Sequence, residues 1–189
     1  ASKVPHPNGA GAGLAPLPKV PFASDVATAY ADMLFHGPEL HAIRAVDSCG
    51  PAGLSPVAAP APAPAEWLAE PLRDTWLADP MVLDAAFQGA ILWTIDQHGA
   101  PCLPSVVGKY RQYRTAFPRE GVTVTFHVHR VAGKQLHADV LFTDEQGVVI
   151  AVMNGFEATM DPALAAAFRR RTVAPGAGRD ALTTEAGRS

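Results

Sequence analysis

The stretch of residues 79–98 limits what this chain can fold into, because it is the only long apolar run with helical spacing. Asp79 can cap the first turn through its carboxylate, and Pro80 suits the first helical position, where its missing N–H is not needed. Gly99 supplies a stop signal. The apolar side chains go round most of the predicted helix, at Val82, Leu83, Ala86, Phe87, Ala90, Ile91, Trp93 and Ile95. This pattern indicates a helix that is buried on more than one side.

Two polar residues interrupt this apolar helix. Asp84 and Gln88 are four positions apart, so their side chains project from the same face. A carboxyl group in apolar surroundings resists ionisation, which makes Asp84 a candidate proton donor near neutral pH. Gln88 could hold that carboxyl group in one orientation. From the helix alone, a polar stripe that simply reaches solvent or an interface is an equally good interpretation.

The composition excludes several classes of protein. A chain of 189 residues that is 48% hydrophobic can bury one full core, and its length favours a single domain with appendages. The net charge of −3 gives no excess of positive charge of the kind that binds nucleic acid or an acidic membrane surface. Cys49 and Cys102 are too few and too far apart for a disulfide framework or a zinc site. With no apolar run long enough for a bilayer and no signal-peptide pattern, the sequence predicts a cytoplasmic protein that contacts no membrane.

The segments at the start of the chain carry weaker patterns. Residues 1–23 are rich in Pro, Gly and Ala, which predicts a linker. Residues 24–35 predict a short amphipathic helix that begins at a capping Ser24. In the turn that follows, Pro38 is expected to force Gly37 toward an extended conformation.

A further strand is predicted weakly over residues 40–46, and the chain is expected to reverse near Gly50. From Leu54 the sequence begins as a possible edge strand and then becomes an Ala-Pro repeat. Prolines cannot donate to a strand ladder, so the repeat predicts a semi-rigid spacer or a surface loop.

Four strands are predicted after the helix, from alternating apolar and polar residues and from the turns between them: residues 105–113, 121–131, 135–143 and 148–160. Gly155 within the last strand indicates a bulge or a close approach of two backbones. Residues 162–171 predict a short helix, and residues 172–189 predict a disordered tail.

This order of elements favours an antiparallel sheet wrapped around the helix. Consecutive hairpin-linked strands with one apolar face need cover, and the apolar helix needs burial on several sides. An α+β hotdog fold, in which one sheet curls around one central helix, satisfies both requirements. The predicted hotdog domain spans residues 24–161.

Four short segments resemble, in order and spacing, the C-terminal hotdog of polyketide synthase dehydratase domains. Residues 83–88, Leu-Asp-Ala-Ala-Phe-Gln, resemble the Asp-x-x-x-Gln (or His) motif of its central helix. Residues 35–40, Phe-His-Gly-Pro-Glu-Leu, are similar to its Tyr-Gly-Pro-x-Phe segment, in the His-Gly-Pro form of iterative, polyunsaturated-fatty-acid-like and enediyne-like synthases. Leu103 and Pro104 resemble the Leu-Pro pair after that helix, and residues 108–113 are similar to the next strand.

The resemblance covers roughly residues 30–160 and implies one half of a double-hotdog dehydratase that acts on 3-hydroxyacyl chains. In that family a His of the N-terminal hotdog takes the α-proton, and the Asp of the C-terminal helix protonates the leaving hydroxyl group. Asp84 would be this acid, and Gln88 would hydrogen-bond near Asp84 and the substrate hydroxyl. His36 would contact the substrate or Asp84. The other implied substrate-binding residues are Gly37, Pro38, Leu103 and Pro104.

The same resemblance implies partners. Loss of water needs an acid at the oxygen and a base at the α-carbon, with no metal or redox cofactor, and the family's substrate is carried on the phosphopantetheine of an acyl carrier protein. The family's N-terminal His-x-x-x-Gly-x-x-x-x-Pro motif does not occur in this sequence. We therefore expect a His-bearing N-terminal hotdog half as partner, or self-association through hotdog pairing.

Two other functions remain open. A hotdog acyl thioesterase also uses a helix carboxylate, to orient water onto a thioester, and would be active as a homodimer without a partner hotdog. A catalytically silent hotdog would act as a structural or interaction module in a megasynthase. The Ala-Pro insertion, and the unusual residues Glu39 and His41 beside the His-Gly-Pro segment, favour such degeneration.

Overall fold

The computed structural model describes residue 14 and residues 16–169. Three short helical segments precede the first strand: α1 at Val26–Thr28, a π-helical turn at Ala29–Met33 that continues it, and a 3-10 helix at Pro38–Leu40. The later helices are α2 at Pro64–Trp67, α3 at Pro80–His98 and α4 at Leu164–Arg169. None of the helices in this part of the chain is long and apolar enough to cross a membrane.

Six antiparallel strands form one sheet. They are β1 at Ile43–Gly50, β2 at Gly53–Ala58, β3 at Cys102–Gln112, β4 at Val122–Ala132, β5 at Gln135–Thr143 and β6 at Val149–Met160. Their order across the sheet is β1-β2-β4-β5-β6-β3, so β1 and β3 are the two edges.

The central helix α3 packs against β1, β2, β3 and β4. Its side chains join those of the sheet in one apolar cluster that includes Val82, Ile91, Phe126 and Phe156. One antiparallel sheet around one buried helix is the hotdog fold, as the sequence predicted. The helix can come close to the sheet at Gly89, because a Cβ atom there would lie 3.1 Å from the Leu54 side chain.

The predicted irregularity at Gly155 is present. The pairing of β5 with β6 shifts register between Ala138 and Val140, opposite this glycine. Gly155 has φ +65°, a left-handed conformation that strains any residue with a Cβ. Its N–H donates a 2.8 Å hydrogen bond to Asp139 Oδ1. The bulge is therefore held by a side chain of the neighbouring strand.

Several predicted details near the start of the chain were wrong. Asp25, and not Ser24, caps the first helix, because its carboxylate accepts the Thr28 N–H at 2.8 Å. The first strand occupies Ile43–Gly50 instead of residues 40–46, since Leu40 closes the 3-10 helix.

The expectation of an edge strand from Leu54 was also wrong. Strand β2 lies inside the sheet, where Leu54 pairs with Cys49 of β1 and with Phe126 of β4. Pro56 has no N–H to donate. It is tolerated inside the sheet because the residues of β2 that pair with β4 on either side of it are Leu54 and Val57, and Pro56 itself has no partner among the described residues of β4. Strand β3 begins at Cys102, three residues before the predicted start.

The domain boundaries at residues 24 and 161 stay predictions. The short helix predicted over residues 162–171 is observed as α4, which packs Phe168 against Phe35 at a ring separation of 4.5 Å. The predicted tail, residues 172–189, and most of the predicted linker lie outside the described residues.

Candidate active site

The position of the candidate acid follows from how α3 begins. The Asp79 carboxylate accepts the Val82 N–H at 2.9 Å, and Pro80 occupies the first turn, as the sequence predicted. Asp79 also accepts the Ala61 N–H, which ties the Ala-Pro segment to the start of the helix. With its start defined in this way, the buried helix carries Asp84 and Gln88 on one face, toward the segment before β1.

Gln88 is fully buried, and each polar atom of its amide has a partner. Its Nε2 donates to Asp84 Oδ2 at 2.7 Å and to the Leu40 carbonyl at 2.8 Å. Its Oε1 accepts from Tyr30 Oη at 2.6 Å. Because the Leu40 carbonyl can only accept, the amide atom that faces it must be the nitrogen, so the atom that faces Tyr30 is the oxygen and the tyrosine donates to it. The same Tyr30 Oη accepts the Ile43 N–H at 2.8 Å. This network assigns the amide orientation and presents an N–H to Asp84.

Burial raises the pKa of Tyr30 to about 12, with a smaller contribution from the charge of Asp84. The phenol therefore stays neutral and remains a donor at any physiological pH. His41 stacks on the Tyr30 ring with the centroids 3.8 Å apart. Tyr30 is thus a fixed support for Gln88.

His36 also lies beside the Asp84 carboxyl group. Its Nε2 is 3.5 Å from Asp84 Oδ2, and its side chain is only 6% exposed. Its Nδ1 is buried and has no hydrogen-bond partner in the described structure. Burial lowers the pKa of His36 below 6.5, and His41 lowers it further, while the charge of Asp84 acts in the opposite direction. The imidazole is therefore neutral at neutral pH.

The Asp84 side chain is 27% exposed, so its carboxyl group is held on one side and accessible on another. Both recorded contacts, from Gln88 and His36, fall on Oδ2. A cleft of about 640 Å³ near the start of α3 is lined by the Ala-Pro segment, Trp76 and Arg119, and it does not include Asp84. The arrangement can present a carboxyl group, with a buried amide and a neutral imidazole beside it, to a molecule that approaches from the exposed side.

Comparison with known proteins places this chain in a family. The family model described as "Polyketide synthase dehydratase N-terminal domain" matches residues 10–167. The chain belongs to the polyketide synthase dehydratase family. The match does not assign this dehydratase-family chain to the C-terminal half that its motifs resemble, because the matched description names the N-terminal domain.

Relatives of this dehydratase-family chain are longer than the chain itself. It is 31% identical over 115 residues to a polyunsaturated fatty acid synthase protein of Thraustochytrium sp. (strain ATCC 26185 / S-3), a match that covers 60% of this chain and 4% of that protein. Its fold is similar to the dehydratase domain from the CurJ module of curacin polyketide synthase, with TM-score 0.57, 17% identity, and coverage of 75% of this chain and 50% of that one. The dehydratase domain of RzxB from Pseudomonas fluorescens gives TM-score 0.56 and 19% identity, with coverage of 72% and 48%. The chain thus spans about half the length of these dehydratase domains.

The structure brings together only part of the predicted site of this dehydratase-family chain. His36, Asp84 and Gln88 form the contacts described above. Gly37 adopts the predicted extended conformation, with φ −69° and ψ 168°, and Pro38 begins the 3-10 helix that ends with the Leu40 carbonyl. Residues 36–40 therefore supply two groups to α3, the His36 imidazole and the Leu40 carbonyl.

Leu103 and Pro104 lie apart from these contacts. They belong to the edge strand β3, where they pair with Thr159 and Ala158, and Leu103 is 43% exposed. The described structure records no hydrogen bond or ion pair from either residue to Asp84. Their role in substrate binding stays a prediction.

Sequence reasoning missed Tyr30 and the Leu40 carbonyl as members of the site. The sequence places Tyr30 on the apolar face of a short helix. Its hydroxyl group was the only sign that it could also form hydrogen bonds in the site. The hydrogen bond to Gln88 joins residues 58 positions apart. Such a contact depends on how the sheet closes around α3, which local patterns do not show.

Proposed function

We propose that this chain is the acid-bearing half of a 3-hydroxyacyl-[acyl carrier protein] dehydratase domain of a polyketide synthase. The observation that carries the proposal is the Asp84 carboxyl group, which is fixed by the fully buried Gln88 and still 27% exposed. A carboxyl group with one defined orientation and one accessible side can give its proton to a substrate oxygen.

The proposed reaction is a β-elimination from a 3-hydroxyacyl thioester carried on phosphopantetheine. A base takes the α-proton, and the electron pair of that C–H bond becomes the new C=C bond. The C–O bond to the hydroxyl group breaks as the proton of Asp84 passes to the hydroxyl oxygen. Water departs, and an enoyl thioester remains. Asp84 ends as a carboxylate and the base ends protonated, so the next turnover requires a proton to return to Asp84. The reaction involves no net oxidation and therefore needs no redox cofactor.

The assignment to the acid-bearing half is supported by the residues of the central helix. Asp84 and Gln88 have the spacing of the C-terminal motif, and the His-x-x-x-Gly-x-x-x-x-Pro motif of the other half does not occur in this sequence. The general base would then come from a separate or missing N-terminal hotdog. That second hotdog would cover the accessible side of Asp84 and complete the substrate slot, and an acyl carrier protein would deliver the substrate.

The proposal is tested by restoring the base. The chain is combined with a His-bearing N-terminal hotdog of a polyketide synthase dehydratase and given a 3-hydroxyacyl-pantetheine. We expect an enoyl product, and we expect Asp84→Asn to lower the rate at least about 100-fold, because general acid catalysis contributes that much. Asp32→Asn is the matched control, since Asp32 is an exposed acid in the nearby π-helical turn.

Three outcomes would contradict the proposal. Equal rates for Asp84→Asn and the unchanged chain would show that Asp84 is not the acid. Release of free thiol from an acyl-pantetheine by the chain alone would favour a thioesterase. Absence of turnover with a base-bearing half that is active with its own partner would favour a silent hotdog.

A further inference from the structure

His36 is a buried titratable residue to which the proposed acid step assigns no task. Its side chain is 6% exposed and lies against the Phe35 ring, with the centroids 4.3 Å apart. Its Nε2 lies 3.5 Å from Asp84 Oδ2, and its Nδ1 is buried without a partner in the described structure. A buried imidazole with one nitrogen near a carboxylate and the other unpartnered needs an explanation.

The surroundings of Nδ1 and Nε2 determine which tautomer the site favours. A neutral imidazole carries one proton, on Nδ1 or on Nε2. Nδ1 is buried without a partner in either tautomer, but a proton on Nδ1 would also turn the Nε2 lone pair toward the oxygen of the Asp84 carboxyl group. A proton on Nε2 faces Asp84 Oδ2, which is an acceptor. The contacts therefore favour the Nε2–H tautomer.

In this tautomer, His36 and Gln88 are two donors that converge on one oxygen. Gln88 Nε2 donates to Asp84 Oδ2 at 2.7 Å, and the His36 Nε2–H approaches the same atom. Two donors on Oδ2 leave Oδ1 as the oxygen that holds the proton when Asp84 is neutral. They also stabilise the carboxylate more than the neutral acid, because a charged acceptor forms the stronger hydrogen bond.

We infer that His36 is a positioning residue of the acid step, which donates from Nε2 to Asp84 Oδ2 and, with Gln88, stabilises the carboxylate that forms as Oδ1 gives its proton to the leaving hydroxyl group. The inference rests on the proposed function. Its effect is expected in the transition state, where negative charge develops on Asp84. The separation of 3.5 Å is long for a hydrogen bond, and such contacts commonly shorten when charge develops.

The activity test uses two substitutions of His36 in the restored dehydratase. His36→Phe keeps an aromatic ring beside Phe35 and removes the donor. His36→Gln places an amide N–H near the position of Nε2 and cannot titrate. We expect His36→Phe to lower kcat roughly 10- to 100-fold with little change in KM, because the lost donor acts mainly in the transition state. We expect His36→Gln to recover most of kcat.

A second measurement needs neither substrate nor turnover. The chain is labelled with ¹⁵N in its imidazole rings, and the His36 signals are assigned as those missing from His36→Phe. We expect Nδ1 to be unprotonated and Nε2 protonated at neutral pH, and we expect the Nε2 signal to shift in Asp84→Asn but not in Asp32→Asn.

The two measurements separate failure of the inference from failure of the proposed function. A proton on Nδ1, or a Nε2 signal unaffected by Asp84→Asn, overturns the inference even if the enzyme dehydrates its substrate. Equal kcat for His36→Phe and the unchanged chain, or no recovery in His36→Gln when His36→Phe is impaired, also overturns it. If the restored protein has no activity while the tautomer is as expected, the proposed function fails and the contact between His36 and Asp84 stands.

Discussion

Tyr30 Oη donates a 2.6 Å hydrogen bond to Gln88 Oε1, which links the segment before the sheet to the central helix. The same hydroxyl group accepts the Ile43 N–H at the start of β1. Tyr30 therefore connects three parts of the fold, and its effect on Asp84 passes through the orientation of one buried amide.

Tyr30→Phe should lower the free energy of unfolding by about 1–3 kcal/mol, because a buried amide oxygen and a buried N–H both lose their partner. The substitution keeps the ring that stacks on His41. Urea unfolding of the chain measures the change. Tyr110→Phe is the matched control, since Tyr110 Oη donates only to Gln112 within the edge strand β3. An equal loss in the two variants would contradict the structural role assigned to Tyr30.

Gln88→Leu should destabilise the fold more than the small change in side-chain volume suggests. Leucine fits a similar volume, but it removes from a fully buried position the amide that pairs with the Leu40 carbonyl and the Tyr30 hydroxyl. We expect a loss of about 2–4 kcal/mol in the free energy of unfolding, measured by urea unfolding. Gln97→Leu, near the end of the same helix, is the control and should cost about 1 kcal/mol or less. The reverse order of the two losses would be inconsistent with the hydrogen bonds of Gln88.

The central helix could be predicted because its signals are local. The cap at Asp79, the proline at the first position and the glycine stop each act within one turn, so they need no knowledge of the rest of the fold. The common face of Asp84 and Gln88 follows from helical geometry alone. The apolar pattern of the helix and the strand meander then required a sheet around it.

The remaining features depended on pairing over long distances. The place of β2 inside the sheet is decided by its pairing with β4, where Leu54 meets Phe126. The contact of His36 with Asp84 was one of two possibilities that the resemblance left open, and the structure records it at 3.5 Å. The unpartnered Nδ1 of His36 depends on packing from several segments, which no local pattern specifies.

Gly155→Ala should destabilise the fold by about 1–2 kcal/mol, because Gly155 has φ +65° and a Cβ atom is strained in that conformation. The bulge also depends on the hydrogen bond from the Gly155 N–H to Asp139. Thermal unfolding measures the loss. Gly37→Ala is the matched control, since Gly37 has φ −69° and the added Cβ would have room at 3.4 Å from the Glu39 side chain. A change at Gly155 no larger than that at Gly37 would contradict the strain assigned to the bulge.

Acid should destabilise the folded chain through His36. Burial lowers the pKa of this imidazole below its usual value of 6.5, so over the pH range just below 6.5 the unfolded chain binds a proton that the folded chain does not. The free energy of unfolding should therefore fall as the pH drops through that range. Burial lowers the pKa of His127 as well, so the described residues include a second contribution of this kind. Urea unfolding at a series of pH values should show a smaller loss in His36→Phe than in the unchanged chain, and the pH dependence that remains in that variant should shrink further when His127→Phe is added. An identical pH dependence in His36→Phe and the unchanged chain would show that the imidazole is not buried as the structure describes.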